Sequence, residues 1–141
     1  DFIRGHSGDD QIKGGDGDDT IRADQGDDVI NAGDGHDSIE GGDGLNIIDA
    51  GDGNDTVIGG RQADTILGGD GNDLLIAGGG RDSVYGGDGD DTLRGNGSSD
   101  RFNSGEGDDD RIADLAGVEF DDLTLAISNT VLNALAELDS F

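Results

Sequence analysis

The sequence has 141 residues, of which 34 are acidic and 8 are lysine or arginine, giving a formal net charge of −26 at pH 7. This surplus of negative charge would repel phosphate, so nucleic acid is excluded as a partner. The absence of cysteine excludes disulfides and thiolate metal ligands, and no run of about 18 apolar residues is present that would span a membrane.

A nine-residue repeat, Gly-Gly-x-Gly-x-Asp-x-apolar-x, runs in twelve consecutive frames from Gly5 to Ile112. With Gly5 at position one, position six is aspartate in every frame except one, which has Asn46, and position eight is apolar until Arg111. Residues 1–4 fit positions six to nine of an earlier frame, so we expect the chain to be a piece of a longer protein. A repeat this short has no core of its own and is stable only when stacked on its neighbours.

Each frame predicts a loop followed by a strand. Positions one to six are rich in glycine and aspartate and predict a tight loop. Positions seven to nine hold the apolar residue between residues such as Thr, Ser, Val and Arg, and predict a very short strand. Because successive side chains of a strand face opposite sides, position eight is predicted to face inward and positions seven and nine outward.

Alternate frames differ, so the true period is eighteen residues. The even frames all have an acid at position three between two glycines, as in GGDGDD from Gly14, whereas odd frames carry defects such as GGRQAD from Gly59. This difference predicts a turn with two strands and two loops, with odd loops at one edge and even loops at the other. The predicted fold is therefore an all-β parallel β-roll of about six turns over residues 1–112.

The carboxylates predict metal binding. The composition alone is typical of a disordered acidic linker, and we expect the chain to be disordered until a ligand cancels its charge. Calcium suits irregular loops of carboxylates and carbonyls better than magnesium does, because its coordination by oxygen is flexible. We predict several calcium ions between successive loops of the same edge, where twelve loops in two columns leave ten positions.

The predicted side-chain ligands all occupy position six: Asp10, Asp19, Asp28, Asp37, Asn46, Asp55, Asp64, Asp73, Asp82, Asp91, Asp100 and Asp109. The predicted carbonyl ligands are glycines at positions two and four of the even loops: Gly15, Gly17, Gly33, Gly35, Gly51, Gly53, Gly69, Gly71, Gly87 and Gly89. An acid at position three or five is predicted to act as solvated charge, with direct ligation as the alternative.

The even column is predicted to fill at lower calcium than the odd column. The odd loops contain Asn46, which lacks a charge, and Arg61, Gln62 and Arg81, which add bulk or positive charge.

Other binding and catalytic motifs are absent. No segment combines the glycine and glutamate of an EF-hand loop, and the only lysine, Lys13, is not followed by the Ser or Thr of a P-loop. His6 and His36 fall on opposite edges and have no serine or cysteine partner. We therefore expect that the chain is not itself an enzyme.

The segments GGDGDDTIR, AGDGNDTVI and GGDGDDTLR resemble the RTX, or hemolysin-type calcium-binding, repeats of secreted bacterial proteins, over residues 1 to about 112. The resemblance implies a right-handed calcium-bound parallel β-roll in an extracellular protein. It also implies export of the unfolded chain by type I secretion machinery and folding in external calcium. The remaining part of a haemolysin, protease, lipase, epimerase or adhesin would then be its partner.

Residues 113–141 lack the repeat and are expected to form a C-terminal capping segment. Leu123, Leu125 and Ile127 alternate as in a strand, and Thr130 could cap a short helix. The last residues, ELDSF, are similar to the end of a type I secretion signal, so this segment is alternatively part of such a signal.

Position nine is apolar in four consecutive frames, at Ile58, Leu67, Ile76 and Tyr85. These outward side chains predict a contact surface for the tail, a parent domain or a partner, and the alternative is ordinary β-propensity.

The alternative function is a recognition module of an adhesin or a polysaccharide-modifying enzyme. In that case Arg4, Lys13, Arg22 and Arg94, at outward positions, would contact an anionic polysaccharide or a cell surface.

Overall fold

The structure, a computed structural model, describes residues 1–96 and 99–112, all as strands and the short loops between them. The strand and helix expected within 113–141 lie outside the described residues. The thirteen strands are β1 (Phe2–Ser7), β2 (Gln11–Asp16), β3 (Thr20–Gln25), β4 (Val29–Asp34), β5 (Ser38–Gly42), β6 (Ile47–Asp52), β7 (Thr56–Gly60), β8 (Thr65–Asp70), β9 (Leu74–Gly78), β10 (Ser83–Asp88), β11 (Thr92–Arg94), β12 (Arg101–Glu106) and β13 (Asp110–Ile112).

The strands form two parallel sheets that alternate along the chain. Odd-numbered strands make one sheet in the order β1-β3-β5-β7-β9-β11-β13, and even-numbered strands make the other in the order β12-β10-β8-β6-β4-β2. Paired residues are eighteen positions apart, as for Ile21 with Ile39 and Ile30 with Ile48. The predicted parallel β-roll of about six turns, with two strands per turn, is confirmed.

The strands are longer than the sequence predicted. Most run six residues, from position seven through position three of the next frame, so the loop keeps only positions four to six, as at residues 17–19 between β2 and β3. The prediction of a three-residue strand and a six-residue loop was wrong, because glycines at positions one and two were interpreted only as loop signals. Position one is in fact a second inward-facing position, and only a small residue fits there.

Two rows of side chains on each sheet therefore make the core. Position eight supplies the large row, and alanines at position one supply the small row between glycines. The buried apolar residues are Ile12, Ile21, Ala23, Ile30, Ala32, Ile39, Ile48, Ala50, Val57, Ile66, Leu75, Ala77, Val84 and Leu93. Ile3 and Phe102, which are partly buried, pack against the two ends of this column.

The outer faces carry an apolar patch. Register places Ile58 beside Ile76 on the odd-strand sheet and Leu67 beside Tyr85 on the even-strand sheet, as predicted. Val29 and Ile47, neighbours on the even-strand sheet, are also exposed. The sequence analysis did not single them out, because they occupy position seven.

The predicted outward cations do not share one face. Arg4, Arg22 and Arg94 lie on the odd-strand sheet, whereas Lys13 lies on the even-strand sheet. Arg4 pairs with Asp24 through Nε at 2.5 Å, and Arg22 Nε lies 3.2 Å from a carboxylate oxygen of Glu40. Among the described residues no helix is long and apolar enough to cross a membrane.

Candidate metal sites between stacked loops

The loops stack directly on one another along each edge of the roll. The position-four N–H donates to the position-three carbonyl of the following turn, from Gly17 to Asp34 at 2.6 Å and from Gly35 to Asp52 at 2.7 Å. Because every turn has the same length, equivalent atoms of successive loops face each other. The space between one pair of successive loops is therefore bordered by the same backbone groups as the space between the next pair.

The position-six side chains face inward at these loops, and one carboxylate oxygen is already committed. Oδ1 of Asp55 accepts a hydrogen bond from the backbone N–H of Asp37, one turn earlier, at 2.8 Å. Oδ1 of Asp73 accepts the equivalent bond from the N–H of Asp55 at 2.8 Å. The same bond recurs along both edges, so each position-six carboxylate anchors the loop before it.

The second carboxylate oxygen is buried and has no partner. This holds for Oδ2 of nine residues: Asp10, Asp19, Asp28, Asp37, Asp55, Asp64, Asp73, Asp82 and Asp91. A buried, ionised oxygen without a hydrogen bond or counter-charge is strongly unfavourable. Among the described residues, these nine oxygens are therefore the candidate metal ligands of the two loop columns.

Burial also perturbs the protonation of these groups. It raises the pKa of Asp64 to about 7 and the pKa values of Asp73 and Asp82 to about 6. Burial likewise raises the pKa of Asp55, against the lowering effect of the hydrogen bond from Asp37. The cause in each case is loss of hydration of the charged form, which a bound cation would compensate.

Backbone carbonyls of the glycine positions point from one loop to the next. A Cβ added to Gly33 would collide with the carbonyl oxygen of Gly15, and one added to Gly53 would collide with that of Gly35. Both glycines also have positive φ, 116° and 138°, a conformation that other residues rarely adopt. The carbonyls predicted as ligands therefore lie between successive turns, those of position two at the ends of the strands and those of position four in the loops.

Position five has a role that the sequence analysis missed. Oδ1 of Asp18 accepts the N–H of His36 at 2.9 Å, and Nδ1 of His36 accepts the N–H of Asn54 at 2.8 Å. Oδ1 of Asn54 then accepts the N–H of Asn72 at 2.8 Å. These side chains stay exposed to solvent, as predicted for solvated charge, and in addition they tie each loop to the next. The restriction of this position to Asp, His and Asn in even frames was the signal available in the sequence.

The two edges differ in continuity. On the even edge the position-five ladder runs without a break from Asp18 to Asp108, and the five unpartnered oxygens from Asp19 to Asp91 form one column. On the odd edge the position-five ladder ends at Leu45, and the series of unpartnered Oδ2 atoms is interrupted at Asn46 and resumes at Asp64 and Asp82. The two edges therefore differ in structure, and the prediction that the even column fills at lower calcium stays a prediction.

The donor set fits calcium chemically. No group of three or more acidic or histidine side chains converges on one point within residues 1–96 and 99–112, so side chains alone do not make a complete site. Carboxylate oxygens from position six with inter-loop carbonyls provide only hard oxygen donors, and calcium accepts six to eight such ligands in irregular arrangements. The predicted side-chain ligands lie buried at the loops with an unpartnered oxygen in nine frames, whereas the inward atom of Asn46 is a nitrogen.

The two histidines lie on opposite edges of the roll, His36 in an even frame and His6 in an odd frame. His36 uses Nδ1 as a hydrogen-bond acceptor within the loop ladder. His6 lies in β1 with a positive φ of 81°, at a position where most other frames have glycine. Neither histidine belongs to an acid–base pair in the described part of the chain.

Comparison with known families identifies the repeat. A family model for the RTX calcium-binding nonapeptide repeat matches the chain four times, at residues 1–30, 22–57, 49–84 and 76–110. A search of curated proteins finds no match.

Proposed function

The chain belongs to the RTX calcium-binding nonapeptide repeat family, and from this premise we propose that it is a module that folds when calcium binds between its loops outside the cell. Folding would then support type I secretion and stabilise a larger extracellular protein. The module is not itself an enzyme. Its partners are the remainder of that protein and the secretion machinery.

The observation that carries the proposal is the double column of buried Oδ2 atoms without partners. In a medium poor in calcium these carboxylates repel one another and oppose the roll, so the chain stays unfolded. In a medium rich in calcium each occupied site stabilises the folded state. A site held at a hundredfold excess over its Kd adds about 2.7 kcal/mol, and several sites together act as a folding switch.

An unfolded chain at low calcium is what export through a narrow channel requires. Extracellular calcium modules have Kd values of about 10⁻⁴–10⁻³ M, far above the calcium level inside a cell. The same sequence would therefore be extended before export and folded after it. The proposal thus links the buried carboxylates to the place where the protein folds.

The test is far-ultraviolet circular dichroism with calcium and with excess chelator. We expect β-structure in calcium and a disordered spectrum in chelator, with a cooperative transition between them. Magnesium at the same concentration is the control, and we expect it to give little folding. A full, cooperative β-spectrum in chelator would refute the proposal.

The second function, recognition of an anionic polysaccharide, has weaker support. Arg4 and Arg22 lie side by side on one sheet, but both pair with carboxylates. Retention of the wild-type chain on alginate at fixed calcium, with loss of retention in Arg4→Gln, would favour it.

A further inference from the structure

Asn46 occupies the position that is aspartate in every other frame, and its side-chain orientation is fixed by the loop before it. The backbone N–H of Asp28 donates to Oδ1 of Asn46 at 3.1 Å. Only the amide oxygen accepts such a bond, so Nδ2 takes the place that Oδ2 has in the aspartates. Asn46 is 1% exposed, so this nitrogen is enclosed.

The inward Nδ2 is turned toward its own loop. It lies 3.5 Å from the carbonyl oxygen of Gly44, toward which it donates. An amide NH₂ is a donor with no lone pair to offer a cation. At this point the loop therefore presents a hydrogen-bond donor, whereas the neighbouring loops present an unpartnered carboxylate oxygen.

The chain supplies its own positive charge beside this loop. Nη1 of Arg61, at position three of the following odd loop, lies 3.8 Å from Oδ1 of Asp43. Every even loop has an acid at position three, so this cation has no counterpart on the even edge. The pair is exposed and adds little to stability, but it lowers the negative charge between these two loops.

We propose that the loop of residues 41–46 stacks on the loops of residues 23–28 and 59–64 without bound metal. This inference rests on the proposed calcium binding of the other loops. The Asn46 amide bonds this segment to the loop before it, and the Arg61–Asp43 pair lowers the negative charge beside it. The loop divides the odd column into two separate groups of sites, whereas the even column stays continuous.

The test restores the missing oxygen by Asn46→Asp. The calcium bound at saturation would be counted by native mass spectrometry for the wild-type chain and the variant. We expect the variant to bind about one or two more ions, because the loop borders two inter-loop positions. We also expect its folding to need calcium more strictly, since a new buried carboxylate then lacks a partner.

Two further variants make the outcome interpretable. Asn103→Asp makes the same chemical change at an exposed, outward position of β12, away from the loops, and we expect no change in the number of ions. Asp55→Asn removes a carboxylate from the even column, and we expect the number to fall. If the wild-type chain binds no calcium, the proposed function fails. If Asp55→Asn loses calcium while Asn46→Asp gains none, only the present inference is overturned.

A second measurement does not depend on the folding of Asn46→Asp. Anomalous scattering from a crystal of the wild-type chain grown in calcium would locate the ions directly. We expect peaks between loops along the even edge and none in contact with residues 41–46. A calcium ion bound by Oδ1 of Asn46 would overturn the inference.

Discussion

Asp55→Asn and Asp64→Asn separate the two edges of the roll. Each substitution removes one carboxylate charge but keeps an oxygen that accepts the N–H of the preceding turn, from Asp37 at 2.8 Å and from Asn46 at 2.8 Å. Asp55 lies between Asp37 and Asp73, so it borders two positions where both loops offer an unpartnered oxygen. Asp64 borders only one such inter-loop position, which it shares with Asp82, because its neighbour on the other side is Asn46.

The expected magnitudes follow from this count. At calcium about a hundredfold above the Kd of a site, each emptied position removes about 2.7 kcal/mol from the free energy of unfolding. Asp55→Asn then costs up to about 5 kcal/mol and Asp64→Asn up to about 3 kcal/mol. A loss larger than about 4 kcal/mol is exceptional for a single substitution, which makes the first result diagnostic.

The assay is urea unfolding followed by circular dichroism, with both variants and the wild-type chain at the same free calcium concentration. A parallel calcium titration gives the midpoint of folding for each. We expect the larger shift to higher calcium in Asp55→Asn. Equal losses of stability in the two variants would refute the reasoning that the edges differ.

The remaining predictions concern pH, the glycine positions and the tail. Because burial raises the pKa of Asp64 to about 7 and that of Asp73 to about 6, both above the ordinary value of 3.8, the folded metal-free chain holds protons that the unfolded chain releases between about pH 4 and pH 7. The stability of the metal-free fold therefore falls as pH rises through that window, and we expect more β-structure in chelator at about pH 5 than at pH 7.5. Calcium binding should instead weaken on acidification, because protons compete for the ligands. Calcium titrations by circular dichroism at both pH values check this, and the absence of a pH effect would contradict it. In urea unfolding, Gly51→Ala should lower the free energy of unfolding by about 1–3 kcal/mol more than Gly15→Ala does. Both positions have positive φ, but only at Gly51 would the added Cβ meet a carbonyl oxygen. Equal losses of stability would show that the close approach of successive turns is unimportant. Deletion of 113–141 should increase binding of an apolar dye in calcium if the tail covers the exposed apolar side chains, and unchanged fluorescence would count against the tail as their cover.

The architecture could be predicted from the sequence because the repeat is regular. A nine-residue repeat with one inward apolar residue is stable only when the repeats stack on one another, and the alternation between even and odd loops indicates two strands per turn. The position-six aspartates stand out for the same reason, since only one of twelve frames departs from the pattern, and their role as calcium ligands stays a prediction. The right-handed winding of the roll stays a prediction, which follows from the general preference of parallel crossovers.

Several features were decided only by tertiary structure. Position one faces inward because the strand continues through the glycines of positions one and two. In the sequence, a glycine in a turn cannot be distinguished from a glycine in a closely packed strand. The difference between the two oxygens of each carboxylate, with Oδ1 bonded to the previous turn and Oδ2 unpartnered, depends on the offset between loops. The role of position five depends on the same offset, as does the inward Nδ2 of Asn46. The sequence by itself determines which residue type recurs at each position of the repeat. The contacts between successive turns determine which atom of that residue is hydrogen-bonded and which is unpartnered.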